Sequence, residues 1–336
     1  MTAPQHGPGM AFRVGRDGIV VLAAATGALA GRYLRGRARI ERGEIGGMAH
    51  RLTDIGEVDS LTVLPLVERL VGRAGLRGEP GVSYLLRAGN SNVLFDCGLA
   101  QGSGTTVLEA NAAALGASAA DLSAVVISHL HMDHVGGVKA QLHRSFSVPW
   151  TLRLPPSVPA YVPTEMSHPR AEITVVSAAR VIAPGVAVLT PLERMLFWLG
   201  PIAEQALVVN VKGFGLVLVS GCGHPRIEQT LSACEQALGL PIKAVVGGLH
   251  LPVHPVGTPL LSQAVLGSPY WPWHSIGEGD ARAVIGAIAQ VGPSIVALSG
   301  HDSTDWTFNA FHEAFGDGYR TLRVGEPLVI SAGDLP

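Results

Sequence analysis

From about Asp59 onward, short apolar runs alternate with polar, glycine- or proline-bearing breaks, and the length of each run predicts an element. Residues 82–87 (VSYLLR) and 91–96 (SNVLFD) are strand-length runs joined by Ala88-Gly89-Asn90, the composition of a hairpin turn. Residues 106–115 (TVLEANAAAL) have helical spacing and stop at Gly116. Residues 124–128 (AVVIS) form an unbroken apolar run, as expected of a strand covered on both faces. Further β-type segments fall at 173–176, 186–190, 206–211 and 216–220. Helix-like 228–238, 279–291 and 306–315 then alternate with strand-like 243–246, 295–299 and 320–324. Interleaving of this kind predicts a layered α/β protein with helices covering its sheets. Residues 251–279, broken by Pro252, Pro255, Pro259, Pro269 and Pro272, read as a long functional loop or lid.

Composition narrows the picture. The chain has 336 residues, enough for one large domain or two ordinary ones, and 47% of them are hydrophobic against 15% charged. Frequent Gly (42) and Pro (23) argue against a coiled coil or rod. A formal net charge of −2 leaves no global basic field for nucleic acid. Three cysteines (Cys97, Cys222, Cys234) make no disulfide framework and fit a reducing, cytoplasmic compartment. Cys97 and Cys234 read as small apolar residues. Thirteen histidines against five Tyr and five Trp direct attention to metal chemistry.

Residues 1–57 differ from the rest and read as an N-terminal extension to a catalytic domain at 58–336. The apolar stretch 19–31 is shorter than the roughly 20 residues a membrane-spanning helix needs. It runs into Arg32, Arg35, Arg37, Arg39 and Arg42. Three readings stay open: a surface-packed or poorly ordered helix, a weak membrane-surface contact through residues 19–42, and a cleaved signal ending near Ala28-Leu29-Ala30.

The chemistry concentrates directly after AVVIS, in Ser128-His129-Leu130-His131-Met132-Asp133-His134-Val135-Gly136-Gly137. His129 and His131, two apart, project from one side of a strand end. The turn that follows brings Asp133 and His134 around the same small volume, and Gly136-Gly137 lets the backbone bend there. Imidazole and carboxylate suit Zn²⁺, Fe and Mn²⁺, and four such groups in six residues are more than one ion needs from one loop. Two adjacent metals are the natural reading, one favouring His129 and His131, the other Asp133 and His134.

The pattern His129-x-His131-x-Asp133-His134, behind a strand and before Gly-Gly, resembles the metallo-β-lactamase superfamily signature, and the resemblance extends over roughly residues 60–330. It implies an α/β, four-layer αββα sandwich holding one or two Zn²⁺ ions, with Fe or Mn as alternatives. Asp96 resembles the superfamily's early aspartate, which orients metal ligands. Asn111-Ala112, Gly221-Cys222-Gly223-His224 and Gly247-Gly248-Leu249-His250 resemble the branch containing dihydropterin-linked ribofuranosylaminobenzene phosphate synthases and related hydrolases. The resemblance makes His224 and His301 metal-ligand candidates alongside His129, His131, Asp133 and His134. Asp133 and His250 become the catalytic candidates, with His250 or Asp302 passing a proton to the leaving group. Each has a structural alternative: a turn for Asp96, a helix cap for His224, a hydrogen-bonded loop histidine for His250 and a turn residue for His301.

The sequence departs from the superfamily where a bridging aspartate is usual: the strand LVLVS ends in Gly221-Cys222. Cys222 in that place would be a softer ligand. The third-motif histidine is also missing from its usual position, with Glu204 nearby and His168 further off. Trp271 and Trp273 suit either a pocket wall or packing of the long loop, while His143, His254, His274 and His312 read as surface residues. The expected function is a metal-dependent hydrolase using a metal-activated hydroxide on an ester, lactone or phosphoester, with that small-molecule substrate as its expected partner. Alternatives are a transferase or synthase acting on a phosphorylated pterin- or ribosyl-type substrate, for which the catalytic part shows no arginine cluster, and a non-catalytic metal-binding sensor.

Overall fold

A computed structural model describes residues 16–42, 51–100, 104–148 and 154–334. The first sheet is built mainly from β1 (Ser60–Val67), β2 (Ser83–Ala88), β3 (Ser91–Phe95), β4 (Ala124–Val126), β5 (Val158–Val162) and β6 (Ala171–Val175). The second sheet opens with β7 (Arg180–Ala183) and β8 (Val186–Val188). A separate hairpin of β9 (Leu192–Leu196) and β10 (Gly200–Glu204) follows before the sheet resumes. It continues through β11 (Leu207–Val211), β12 (Gly215–Ser220), β13 (Ile242–Gly247), β14 (Ile295–Leu298) and β15 (Tyr319–Thr321). A last strand, β16 (Leu328–Ser331), returns to the first sheet. The result is two seven-stranded sheets ordered β16-β1-β2-β3-β4-β5-β6 and β15-β14-β13-β12-β11-β8-β7.

Strand periodicity explains the layers. On β2, Tyr84 and Leu86 face the inter-sheet core while Leu85 faces outward. On β12, Val217 and Val219 point inward and Leu216 and Leu218 outward. All seven are buried, because both faces of both sheets are covered, and each apolar side chain removed from water contributes about 1.5–3 kcal/mol. The outer face of the first sheet carries α2 (Val107–Ala114), α3 (Met132–Val135) and α4 (Val138–Leu142), whose buried residues join its core cluster. The outer face of the second carries α5 (Ile227–Leu238), α7 (Glu278–Val291) and α8 (Asp305–Phe315). This is the αββα sandwich expected from the sequence.

Two regions differ from a simple reading of the sequence. The long loop at 251–279 contains a short helix, α6 (Leu261–Leu266). The apolar and arginine-rich N-terminal stretches merge into one helix, α1 (Arg16–Glu41), because the run holds no proline and many good helix formers. Tyr33 of α1 is buried against Met195 and Phe197, on the β9–β10 hairpin and the turn after β9. No helix among the described residues is long and apolar enough to cross a membrane. Residues 1–15 and 43–50, with their share of the expected extension, lie outside the described residues.

Candidate metal centre

The candidate residues stand at the carboxyl ends of strands, several of them parallel neighbours, where open α/β sheets generally form their crevices. β3 leads into Asp96, β4 into His129–His134, β12 into Cys222 and His224, β13 into His250, and β14 into His301 and Asp302. Gln205 ties the sheets together here: its N–H donates to the Ser128 carbonyl (2.9 Å), and Nε2 donates to those of Ile127 (2.8 Å) and Tyr161 (3.0 Å).

All the histidines of the constellation are buried and form a continuous array of rings. Centroid separations are 4.7 Å for His129–His131, 4.1 Å for His129–His134, 4.9 Å for His131–His224 and 5.2 Å for His134–His301. His224 Nε2 lies 3.1 Å from His131 Nδ1. Cys222 Sγ stands 3.1 Å from both His134 Nε2 and His301 Nε2. Ligand atoms of Asp133, His134, Cys222 and His301 all lie within 4.8 Å of one another, as do those of His129, Cys222 and His224.

Buried partners behind the rings fix their orientation. Asp96 accepts from Ser128 N (2.7 Å) and Ser128 Oγ (2.7 Å), and its Oδ2 meets His134 Nδ1 at 2.7 Å. Ser128 Oγ also lies 2.9 Å from His129 Nδ1. These contacts engage the Nδ1 atoms and leave the Nε2 atoms facing the cleft, the arrangement that supporting groups impose around metal sites. On the opposite side Ser299 Oγ lies 2.6 Å from His301 Nδ1 and donates to buried Glu68. Glu68 also accepts from Tyr84 Oη at 2.6 Å.

The backbone is shaped to match. Asp96 (φ 62°) and His250 (φ 50°) occupy the left-handed region that side chains other than Gly and Asn rarely adopt. Asp302 Oδ2 accepts the His250 N–H at 2.7 Å and helps hold that turn. Gly248 is required by close approach: a Cβ there would fall against the Gly221 carbonyl, and 2.6 Å from His301 Cε1.

Burial holds His129, His224 and His301 well below the usual imidazole range, and takes His131 to about 4 and His250 to about 3. Neutral imidazole is the form that ligates metals. Burial acts on His134 in the same direction, but Asp133 and Asp96 overrule it and push it up to about 9. Burial also drives the Cys222 thiol well above its usual value, reinforced by the surrounding carboxylates. The donor set suits a divalent transition ion: buried His129 Nε2 and both ring nitrogens of His250 have no hydrogen-bond partner within the protein.

His129, His131, Asp133, His134, His224, His250 and His301 therefore come together with Asp96 and Cys222. Glu204 does not stand in for the missing histidine. Its carboxylate accepts from the N–H groups of Cys222 (3.0 Å), Gly223 (2.8 Å) and His224 (2.8 Å), so it builds the loop that carries them. His168 stacks on Phe146 (4.6 Å), outside the cluster, and His143, His254, His274 and His312 are exposed. Trp271 packs on Tyr33 and Phe197, with Trp273 stacked on it, and neither lines the cavities beside the cluster. Sequence reasoning missed Glu68, Ser299 and Gln263. Gln263 Nε2 donates to Asp133 Oδ2 (3.2 Å) from within the long loop.

Two cavities flank His224 and His250. One, of about 120 Å³, opens over His131, Asp133 and Cys222 and is walled by Leu199, Gln263 and Leu266. The other, of about 250 Å³, is lined by Arg194, Leu249, Tyr270 and Ile276 as well.

Comparison with known proteins agrees with this architecture. The model of the metallo-beta-lactamase superfamily matches residues 76–153, the stretch holding Asp96 and the histidine motif. Among solved structures the chain is similar to Tm1679, described as a metal-dependent hydrolase of the beta-lactamase superfamily. That match has 21% identity and TM-score 0.54, covering 81% of this chain and 99% of that one. It is also similar to the metallo-beta-lactamase fold protein YhfI from Bacillus subtilis (14% identity, TM-score 0.48, 81% of this chain, 100% of that one). The short form of human tRNase Z matches at 15% identity and TM-score 0.45, over 81% of this chain and 99% of that one. A search of curated proteins finds no match. The metallo-beta-lactamase superfamily model thus matches the segment that holds the histidine motif, and the chain shares its sandwich fold with Tm1679.

Proposed function

We propose that the protein is a metal-dependent hydrolase acting on a small-molecule ester, lactone or phosphoester. The observation that carries this reading is the convergence of His129, His131, His134, His224, His301 and Cys222, from separate strand ends, beside one cavity. His129, His131 and His224 would hold one ion, and Asp133, His134, Cys222 and His301 a second, with zinc the best match to imidazole and thiolate together. A bound ion supplies Lewis acidity to a carbonyl or phosphoryl group and lowers the pKa of water.

The chain's own residues account for the rest. Asp96 and Ser128 orient the rings of His134 and His129, while Glu68 and Ser299 orient His301. Gln263 steadies Asp133. His250 lines both cavities with neither ring nitrogen engaged and burial keeps it neutral, so it would donate or accept a hydrogen bond at the substrate's leaving group. Leu199 and Leu266 give one wall an apolar surface.

Elemental analysis of the purified protein, together with turnover of ester, lactone and phosphodiester panels, tests the reading. One or two equivalents of metal are expected, with activity lost on chelation and in His131→Ala. Full metal content without turnover on any panel would favour the sensor reading instead. The transferase reading, on a phosphorylated pterin- or ribosyl-type substrate, draws support from the arginines described next.

A further inference from the structure

Arg194, on β9, is partly buried, and its Nη1 donates to the His224 carbonyl at 2.8 Å. Among the described residues no carboxylate forms an ion pair with it. One carbonyl satisfies only one of the five N–H donors of its guanidinium, and the group is always charged, so it keeps donors for an anion. A partner from outside the chain can fill them.

Arg194 faces the cavity of about 250 Å³, and Arg226, 32 positions along the chain, lines the same space. Arg226 is the residue from which α5 starts, and it gives the helix no side-chain cap, so the positive end of a 12-residue helix adds to the field. Asp280 also borders the cavity and its charge offsets part of the field, but its oxygens already accept from Tyr270 Oη (2.5 Å) and Gly277 N (2.9 Å), so they do not pair with the arginines. Glu228 lies exposed at the rim. The inner wall is His224 and His250, which also border the cavity over the histidine cluster.

We infer that this cavity is an anion subsite: Arg194 and Arg226 hold a carboxylate or phosphate group of the substrate while its reacting bond lies over the histidine cluster. The inference deepens the hydrolase reading and rests on it for the word substrate, although the binding itself does not. It makes the substrate a bifunctional molecule, with a cleavable bond at one end and an anionic group at the other.

Calorimetric titration of the full-length protein with phenyl phosphate, benzoate and benzyl alcohol, before and after chelation, tests it. At least one of the anions binds, more weakly as salt is raised, and benzyl alcohol does not. Comparing phenyl phosphate with benzoate tells which anionic group the subsite takes. Arg226→Gln weakens anion binding about tenfold, and Arg194→Gln about thirtyfold with partial recovery in Arg194→Lys, as loss of charge-assisted hydrogen bonds dictates. Arg226 is exposed, so its variant folds and decides the matter even if Arg194→Gln does not. Equal affinity in wild type and Arg226→Gln, absence of anion binding at millimolar concentration, or binding abolished by chelation would each overturn the subsite. Arginine-dependent binding in a protein without metal or turnover would instead sink the hydrolase reading and leave the subsite standing.

Discussion

Cys222 presents its Sγ to His134 Nε2 at 3.1 Å, within a ring of groups that also includes His301 and Asp133. A thiol in such a place is unfavourable as an anion, because burial and nearby carboxylates drive its pKa well up. A divalent cation reverses that balance and deprotonates a coordinating thiol outright. The cobalt-substituted protein is therefore expected to show a sulfur-to-metal charge-transfer band that disappears in Cys222→Ser. Cys222→Ser should also hold less metal per chain by elemental analysis. A wild-type cobalt spectrum identical to that of the variant would remove Cys222 from the ligand set.

How much of this was legible beforehand follows from chain distance. The group from His129 to His134 is local, since a strand end and one turn suffice to gather it. His224, His250 and His301 became candidates through the resemblance, and the structure supplies the reason they meet: parallel β12, β13 and β14 bring their carboxyl ends to one edge. Glu68, Ser299 and the meeting of Arg194 with Arg226 were not legible. Each depends on register between distant segments, and none leaves a motif. Glu204 misled for a related reason: a carboxylate close in sequence to a metal loop looks like a ligand, whereas its oxygens receive backbone N–H groups. A surface-packed helix was one of three readings open for the stretch around Tyr33, but no motif there marks the contact that Tyr33 makes with Met195 and Phe197.

Glu68 ties the stability of the fold to pH. Burial is the main cause that pushes its carboxyl from 4.5 up to about 7, against hydrogen bonds from Ser299, Tyr84, Gly300 and Arg69 that favour the ionised form. A raised folded-state value means that the native protein holds the proton more tightly than the unfolded chain. The group's stabilising contribution is thus fully present below about pH 4.5 and lost as pH rises through about 7. At about 1.4 kcal/mol per pH unit, the loss amounts to at most about 3 kcal/mol. In denaturant titrations of metal-stripped protein, the wild type should lose stability relative to Glu68→Gln between about pH 5 and 8. A difference between the two that stays constant over that range would show that Glu68 titrates normally.

Tyr33 links the N-terminal helix to the wall of the anion cavity. Its hydroxyl donates to the Pro269 carbonyl at 2.6 Å, and its ring packs on Phe197 and Trp271 at centroid separations of 5.4 and 5.2 Å. Pro269 and the adjacent Tyr270 line the cavity, so α1 holds the loop that shapes it. Tyr33→Phe removes only the hydrogen bond and should cost about 1 kcal/mol, whereas Tyr33→Ala also vacates a buried ring site and should cost about 3–5 kcal/mol. The larger change frees the loop before it unfolds the sheets, whose core does not include Tyr33. Hydrogen exchange in Tyr33→Ala should accelerate across residues 267–274 while amides of β12 and β13 keep their protection. Uniform acceleration across the sheets would mean that α1 supports the whole sandwich, and no acceleration in the loop would mean that it supports neither.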